Sequence, residues 1–168
     1  NAEKFYFESL ETIDKYIGKE NTLYTNSLIK IGMLYSNQSQ YPQSRTYFNE
    51  ASKILINLKK YYTSEHVFVL EALASGYRYE AKYDLSEQLY FKAIDINKKL
   101  NANSQDYINS IKLLAGNYLD KGDLNNAEIY YLKTLELTKE KTTNEYLRDL
   151  FDVINFYIEL NNSNKASI

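Results

Sequence analysis

The stretch that decides the fold runs from residue 114 to residue 131: Leu-Ala-Gly-Asn-Tyr-Leu-Asp-Lys-Gly-Asp-Leu-Asn-Asn-Ala-Glu-Ile-Tyr-Tyr. Before its central turn, Leu114, Ala115 and Tyr118 fall on one face of a helix, at spacings typical of helical periodicity. Gly122 then permits a tight turn, because glycine adopts backbone conformations that other residues avoid. A second helical pattern follows, with Ala127 on its packed face. The stretch therefore predicts two antiparallel helices joined by a short turn.

The same pattern recurs along the chain, twice more in full and once in part. Each full copy places a small residue where its first helix would cross its partner, because a larger side chain would push the two axes apart. The matching positions are Leu73, Ala74, Tyr77, Ser86, Tyr90 and Ala93 (41 residues earlier), Ile31, Gly32, Tyr35, Ser44, Phe48 and Ala51 (42 earlier again), and Val153, Ile154, Tyr157 and Ala166 (39 later). Such a repeat predicts an all-α fold, an α-α superhelix of antiparallel helix pairs stacked side by side.

The repeat register divides residues 1–168 into one continuous array. Residues 1–19 correspond to the second helix of a preceding repeat, residues 23–62, 65–103 and 106–143 to three repeats, and residues 145–168 to a partial repeat. We expect the sequence to be a window on a longer array, ending near the start of another second helix at Lys165-Ala166. First helices are predicted near 23–38, 66–80, 106–121 and 145–160. Second helices are predicted near 1–17, 41–61, 84–100 and 124–141, with Pro42 at the start of one of them.

Composition narrows the function classes. Apolar residues make up 44% of the chain, enough for a core, and the net charge of −2 gives no reason to expect nucleic acid as a partner. The chain has no cysteine and a single histidine, His66, so thiolate and multi-histidine metal sites are excluded. No apolar run approaches the roughly 18 to 20 residues that span a bilayer, so we expect no membrane insertion and a cytoplasmic location.

Residues that carry catalytic chemistry are scarce. His66 takes the position that Tyr24, Tyr107 and Tyr146 hold in the other copies, so we interpret it as a packing residue. No carboxylate pair, Ser/His/Asp set or glycine-rich phosphate loop stands out. Aromatic pairs such as Tyr90-Phe91 are interpreted as inter-helix core, since no basic groove accompanies them. We therefore expect a protein that is not an enzyme and that holds no metal and no cofactor.

The Leu-Ala/Gly-x-x-Tyr…Ala-x-x-x-Tyr/Phe spacing resembles the tetratricopeptide repeat over essentially the whole chain. The period of 39 to 42 residues exceeds the usual one of about 34 and is similar to that of the arrays of kinesin light chains and of many bacterial proteins. The bacterial arrays often precede a caspase-like CHAT protease domain, a sensor kinase or a transcription-regulator module. Light-chain-like arrays often carry paired Asn just before the Leu-Ala step, and this chain does not.

The resemblance implies a concave groove lined by the first helices, where a peptide or protein segment would bind. The candidate groove residues are those that lie off the packed stripe of each first helix. They are Asn26, Ile29, Met33, Phe68, Glu71, Ser75, Arg78, Asn109, Lys112, Gly116, Arg148, Phe151 and Asn155. Three of them, Arg78, Lys112 and Arg148, are cations and are expected to bind carboxylates of the ligand. The alternative is that these positions are merely solvated or lie between repeats.

Three functional hypotheses remain open at this point. The first is a non-enzymatic interaction or scaffold module that binds a protein or peptide partner, or another domain of its own chain. The second is the regulatory or sensor portion of a larger bacterial enzyme or signalling protein whose active domain lies outside this sequence. The third is a self-assembling scaffold, because repeats cut at their ends expose apolar helix faces.

Overall fold

Helices make up all of the regular structure in the described part of the chain. A computed structural model describes the backbone of residues 2–166 and the side chains of residues 3–161. The helices are α1 (Ala2–Ile17), α2 (Thr22–Asn37), α3 (Tyr41–Asn57), α4 (Ser64–Tyr79), α5 (Tyr83–Asn101), α6 (Gln105–Lys121), α7 (Leu124–Thr138) and α8 (Thr143–Ala166). The predicted all-α superhelix is confirmed, with α2, α4, α6 and α8 as first helices and α1, α3, α5 and α7 as second helices.

The helices form two layers. Each helix packs against its neighbours in sequence, and the first helices of adjacent repeats also approach one another, α2 with α4 and α4 with α6. No comparable backbone approach joins the described parts of successive second helices. The first helices therefore form the inner, concave layer, and the second helices form a more widely spaced outer layer.

Small residues stand at the crossings within each repeat, as the sequence predicts. Ala74 and Ala115 are fully buried. A Cβ atom added at Gly32 would lie 2.9 Å from the ring of Phe48, closer than real contacts allow. The Ser44 hydroxyl adds a bond across the same crossing, donating to the carbonyl of Gly32 at 2.8 Å. The small side chains let each helix pair approach closely enough to bury its aromatic and aliphatic residues.

The turn inside each repeat uses one left-handed residue. Gly122 has φ of 81°, and the equivalent Ala81 and Ser39 have φ of 57° and 59°. In all three turns the backbone N–H of the next residue donates to the carbonyl of the tyrosine that ends the packed face of the first helix, as Asp123 does to Tyr118 at 2.9 Å. This bond closes the helix end. The turn geometry is thus common to the repeats, although only one copy has the glycine that favours it.

Polar linkers between repeats act as helix caps. The side chains of Asn21, Thr63 and Ser104 accept bonds from the backbone N–H groups three residues on, at 2.9, 3.3 and 3.1 Å. Thr142 and Glu145 cap the start of α8 reciprocally, since Glu145 Oε2 accepts from the Thr142 N–H at 3.2 Å. These bonds satisfy N–H groups that a helix start leaves without partners.

Three predicted helix ends are wrong. The helix α3 ends at Asn57 instead of residue 61, because Lys59 takes φ of 56° and the Lys60 N–H turns back to bond the Leu55 carbonyl. The helix α7 ends at Thr138 instead of residue 141. The predicted break after residue 160 is absent, since α8 continues to Ala166 without a second helix starting at Lys165-Ala166. No glycine or proline interrupts that stretch.

Candidate functional site

A concave cleft of about 520 Å³ opens between the first helices α4, α6 and α8. It gathers six of the predicted groove residues from three repeats. They are Glu71, Arg78, Asn109, Lys112, Gly116 and Asn155. We call this cleft the central groove. Its other lining residues were not among the predicted ones. They are Leu113, Leu119, Tyr131, Asp152, Phe156 and Glu159.

A second cleft, of about 410 Å³, lies between α2 and α4. Four further predicted residues line it, namely Asn26, Ile29, Met33 and Phe68. Ile29 is largely buried, with 8% of its surface exposed, and belongs to the core around α2 and α3. Ile29 is therefore mainly a core residue, and little of its side chain is accessible from the cleft.

The remaining three predicted residues line neither cleft. Ser75 turns toward its own second helix, where its hydroxyl lies 2.9 Å from the hydroxyl of Tyr90. Phe151 is 64% exposed on the surface of α8. Arg148 is half exposed, with its Nε 3.5 Å from Asp149 Oδ1. The structure thus separates Ser75, Arg148 and Phe151 from the two clefts.

Arg78 lies across the floor of the central groove. Its Nε donates to Asp120 Oδ2 at 2.6 Å, across the junction between α4 and α6. Its guanidinium rests on Gly116, since a Cβ atom there would lie 2.8 Å from one terminal nitrogen and 3.0 Å from the other. Gly116 therefore makes room for the arginine, and the arginine is positioned by the chain's own carboxylate.

Lys112 joins α6 to α8 through two carboxylates. Its ammonium lies 2.8 Å from Asp149 Oδ1 and 2.5 Å from Asp152 Oδ2. The Asp149 side chain is fully buried, and 19% of the lysine side chain is exposed. A third acid, Glu71, accepts a hydrogen bond from the Ser110 hydroxyl, and burial raises the pKa of Glu71 above its ordinary value. These contacts make the groove wall a network of charges between neighbouring repeats.

The network changes the expected electrostatics of the groove. Arg78 and Lys112, which we expect to bind a ligand's carboxylates, both form ion pairs with acids of the chain itself. Around Arg78 and Lys112 stand four carboxylates, those of Glu71, Asp120, Asp149 and Asp152, and Arg148 adds a third cation beside Asp149. The groove is therefore acidic on balance.

Comparisons with known proteins bear on the fold. No protein-family model and no curated protein matches the sequence. Among solved structures, BtubC from P. vanneervenii is 16% identical, with a TM-score of 0.84 over 99% of this chain and 68% of that chain. A putative kinesin light chain of P. anserina with nearly identical TPR-like repeats is 13% identical, with a TM-score of 0.82 over 99% of this chain and 81% of that one. This chain has the tetratricopeptide-like repeat fold. A Rap protein complexed with Competence and Sporulation Factor shares it at 16% identity, with a TM-score of 0.76 over 99% of this chain and 45% of that one.

The tetratricopeptide-like architecture explains why sequence reasoning missed Asp149 and Asp152. Adjacent first helices touch, so side chains about one repeat apart can meet across the groove. Asp149 and Asp152 follow Lys112 by 37 and 40 residues, and Asp120 follows Arg78 by 42. A search for opposite charges at this spacing would have found all three acids once the register was known.

The single histidine is buried in the first turn of α4. Only 6% of His66 is exposed. Its Nδ1 lies 3.0 Å from the Tyr61 carbonyl oxygen, and its Nε2 lies 3.2 Å from the Ser52 hydroxyl. Since a carbonyl oxygen only accepts, Nδ1 carries the proton, and the ring ties the linker before α4 to α3.

Among the described residues, no group of three or more His, Asp and Glu side chains could hold a metal ion. None of the described helices combines the length and the apolar character that a membrane span needs.

Proposed function

We propose that this array is a non-enzymatic interaction module that binds an extended segment of a partner in the central groove. The segment can belong to a separate protein or to another domain of the same protein. The observation that carries the proposal is the open concave cleft of about 520 Å³ to which three successive first helices contribute. A cleft that crosses several helices suits a chain that runs along it better than a compact small molecule.

The lining suits an extended peptide. The side chains of Asn109 and Asn155 are exposed in the groove, and their amides can both donate to and accept from a peptide backbone. Leu113 and Leu119 supply apolar surface between the polar positions. This mixture of a few polar groups on an apolar surface is typical of recognition grooves.

Charge defines the chemistry of the segment further. Because carboxylates outnumber cations around the groove, the bound segment carries at least one lysine or arginine. An acidic segment would meet this excess of carboxylates, while Arg78 and Lys112 are already held in ion pairs. The complex of a Rap protein with Competence and Sporulation Factor supports the general idea that this fold can hold another molecule.

The test is a binding assay with labelled, unstructured peptides that match in apolar content and differ only in charge. Basic peptides should bind best. A double variant, Asn109→Arg with Asn155→Arg, should weaken their binding by about tenfold or more, because like charges would face each other in the groove. A matched control is Gln88→Arg on an exposed position of α5, which adds the same charge outside the groove. Tighter binding of acidic peptides, or equal weakening by Gln88→Arg, would contradict the proposal.

A further inference from the structure

The outer layer is bridged by aromatic pairs at two of its three described junctions. Between α1 and α3, the rings of Phe7 and Tyr47 pack edge to face with centroids 6.2 Å apart. Between α5 and α7, Phe91 and Tyr130 do the same at 6.3 Å. Such pairs fill the space that the wide spacing of second helices leaves between them.

The middle junction, between α3 and α5, lacks this aromatic pair. The equivalent residues, 42 places from Phe7 and from Tyr47, are Asn49 and Leu89. Both line a cleft of about 390 Å³, which we call the α3–α5 cleft. The junction thus has an opening where its counterparts have a pair of rings.

Neighbouring contacts confirm that the middle junction differs. Tyr35 stacks on Tyr47 and Tyr118 stacks on Tyr130, each with centroids 5.5 Å apart. The equivalent Tyr77 has Leu89 in place of a stacking tyrosine, and the guanidinium of Arg45 lies over its ring instead, 4.8 Å from the centroid. Several positions at the middle junction therefore differ together from their counterparts at the other two junctions.

The α3–α5 cleft has apolar walls, and side-chain contacts hold the linker residues at its edge. Leu70, Leu73 and Ile96 line it. The linker residues Tyr61 and Tyr62 also line it, and both are exposed. His66 holds the Tyr61 carbonyl in place, as described above, and Lys99 Nζ lies 5.1 Å from the centroid of the Tyr62 ring.

One of the charged side chains that line this cleft has no ion pair among the described residues. Asp95 is paired with Lys99 at 2.6 Å. Lys92 also lines the cleft, and no carboxylate among the described residues pairs with its ammonium. A ligand group that complements this edge of the cleft is therefore acidic.

We infer that the α3–α5 cleft is a second binding site, which takes an aromatic side chain of a partner segment beside an acidic residue that reaches Lys92. The incoming ring occupies the space that Phe7 and Phe91 fill at the other junctions. The site is lined from α3, α4 and α5 and shares no lining residue with the central groove, so the array can hold two segments at once.

Amide NMR spectra of the whole chain, titrated with acetyl-Asp-Phe-amide, test the inference. Shifts should map to Ser52, His66 and Leu89. Acetyl-Asp-Leu-amide should bind about two- to tenfold more weakly, because it lacks the ring. Phenylacetate, a free aromatic acid, should bind more weakly than acetyl-Asp-Phe-amide.

Two variants sharpen the test. Asn49→Phe with Leu89→Tyr restores the bridge and should weaken binding by at least about tenfold while keeping or raising the melting temperature. Lys92→Glu, which leaves the packing intact, should weaken binding about two- to fivefold. Ile129→Phe adds a ring at an exposed position of α7 and serves as the control that should bind like the parent chain.

Three results would overturn the inference. One is the absence of shifts, or shifts that map to another face. Another is unchanged binding by both Lys92→Glu and the bridge-restoring variant. The third is phenylacetate binding as tightly as acetyl-Asp-Phe-amide, which would make the occupant a free small molecule. If the double variant melts at a lower temperature, Asn49→Phe alone carries the comparison.

Discussion

Replacing Lys112 with methionine removes the ammonium that lies 2.8 Å from Asp149 and 2.5 Å from Asp152. Methionine keeps an unbranched stem of similar length, so the change removes charge with little change in volume. Asp149 is fully buried, and its Oδ2 has no hydrogen-bond partner. The variant leaves it with Arg148, which is half exposed and 3.5 Å away. The perturbation therefore leaves a buried carboxylate without its main counter-ion.

The expected size of the effect follows from this asymmetry. At 2.8 Å and an effective dielectric constant of about 20, the attraction between Lys112 and Asp149 is about 6 kcal/mol. Most of that offsets the cost of removing both charges from water, so the pair itself contributes little net stability. Removing one partner alone costs about 3 to 5 kcal/mol. Because Arg148 remains nearby, we expect the lower end, about 3 kcal/mol.

The assay is urea unfolding followed by circular dichroism at neutral pH, with Asp149→Asn and the double variant Lys112→Met/Asp149→Asn measured alongside. Asp149→Asn should cost about 1 kcal/mol, because Lys112 keeps Asp152 as a partner. The double variant should be more stable than Lys112→Met alone, since it also removes the fully buried charge at residue 149. Hydrogen exchange should show the loss of protection in α8 first, because repeat arrays open locally.

The reasoning would be refuted if Lys112→Met unfolded within about 0.5 kcal/mol of the parent chain, or if the two single costs simply added in the double variant. Either result would mean that water or another residue compensates the buried carboxylate.

Three further predictions concern the turns, the crossings and one tyrosine. Ala81→Gly should stabilise the chain by about 0.5 to 1 kcal/mol in the same unfolding assay, because the residue at this turn has φ of 57°. Ala115→Leu should destabilise it by about 1 to 3 kcal/mol through overpacking of a fully buried crossing, and an unchanged melt would disprove the assigned register. The hydrogen bond from Tyr35 to Glu3 raises the pKa of the tyrosine from 10.0 to about 12, so Glu3→Gln should lower it in an ultraviolet titration. Since the folded pKa lies above the unfolded one, this bond stabilises the fold below pH 10.0 and the contribution is lost as pH rises toward 12.

Much of the fold could be predicted because its causes are local. Helical periodicity and the small residues at Ala74 and Ala115 recur in each repeat, so the number, order and pairing of the described helices followed from them. Helix ends were less predictable. The pattern at Tyr61 and Tyr62 continues the apolar periodicity of α3, yet the chain turns at Lys59. Those tyrosines instead line the α3–α5 cleft between two repeats.

The groove could be predicted only in part. The register correctly placed residues such as Asn109 and Asn155 at one cleft, because every first helix faces the same side. It could not show that Ser75 bonds Tyr90 or that Arg78 is held by Asp120. Those partners depend on how far adjacent helices are displaced and rotated, and a shift of one helical turn would exchange them.

By itself, then, the sequence determined a repeated helix pair and the stacking of its copies, because hydrophobic spacing and side-chain volume act within a few residues of each position. Only the tertiary structure decided how the differences between copies are used. Lys112 forms an ion pair with Asp149. Asn49 and Leu89 leave an opening between α3 and α5, whereas the equivalent positions between α1 and α3 are filled by Phe7 packed on Tyr47. Both outcomes depend on distances between side chains about one repeat apart, and those distances are set only when the whole array has packed.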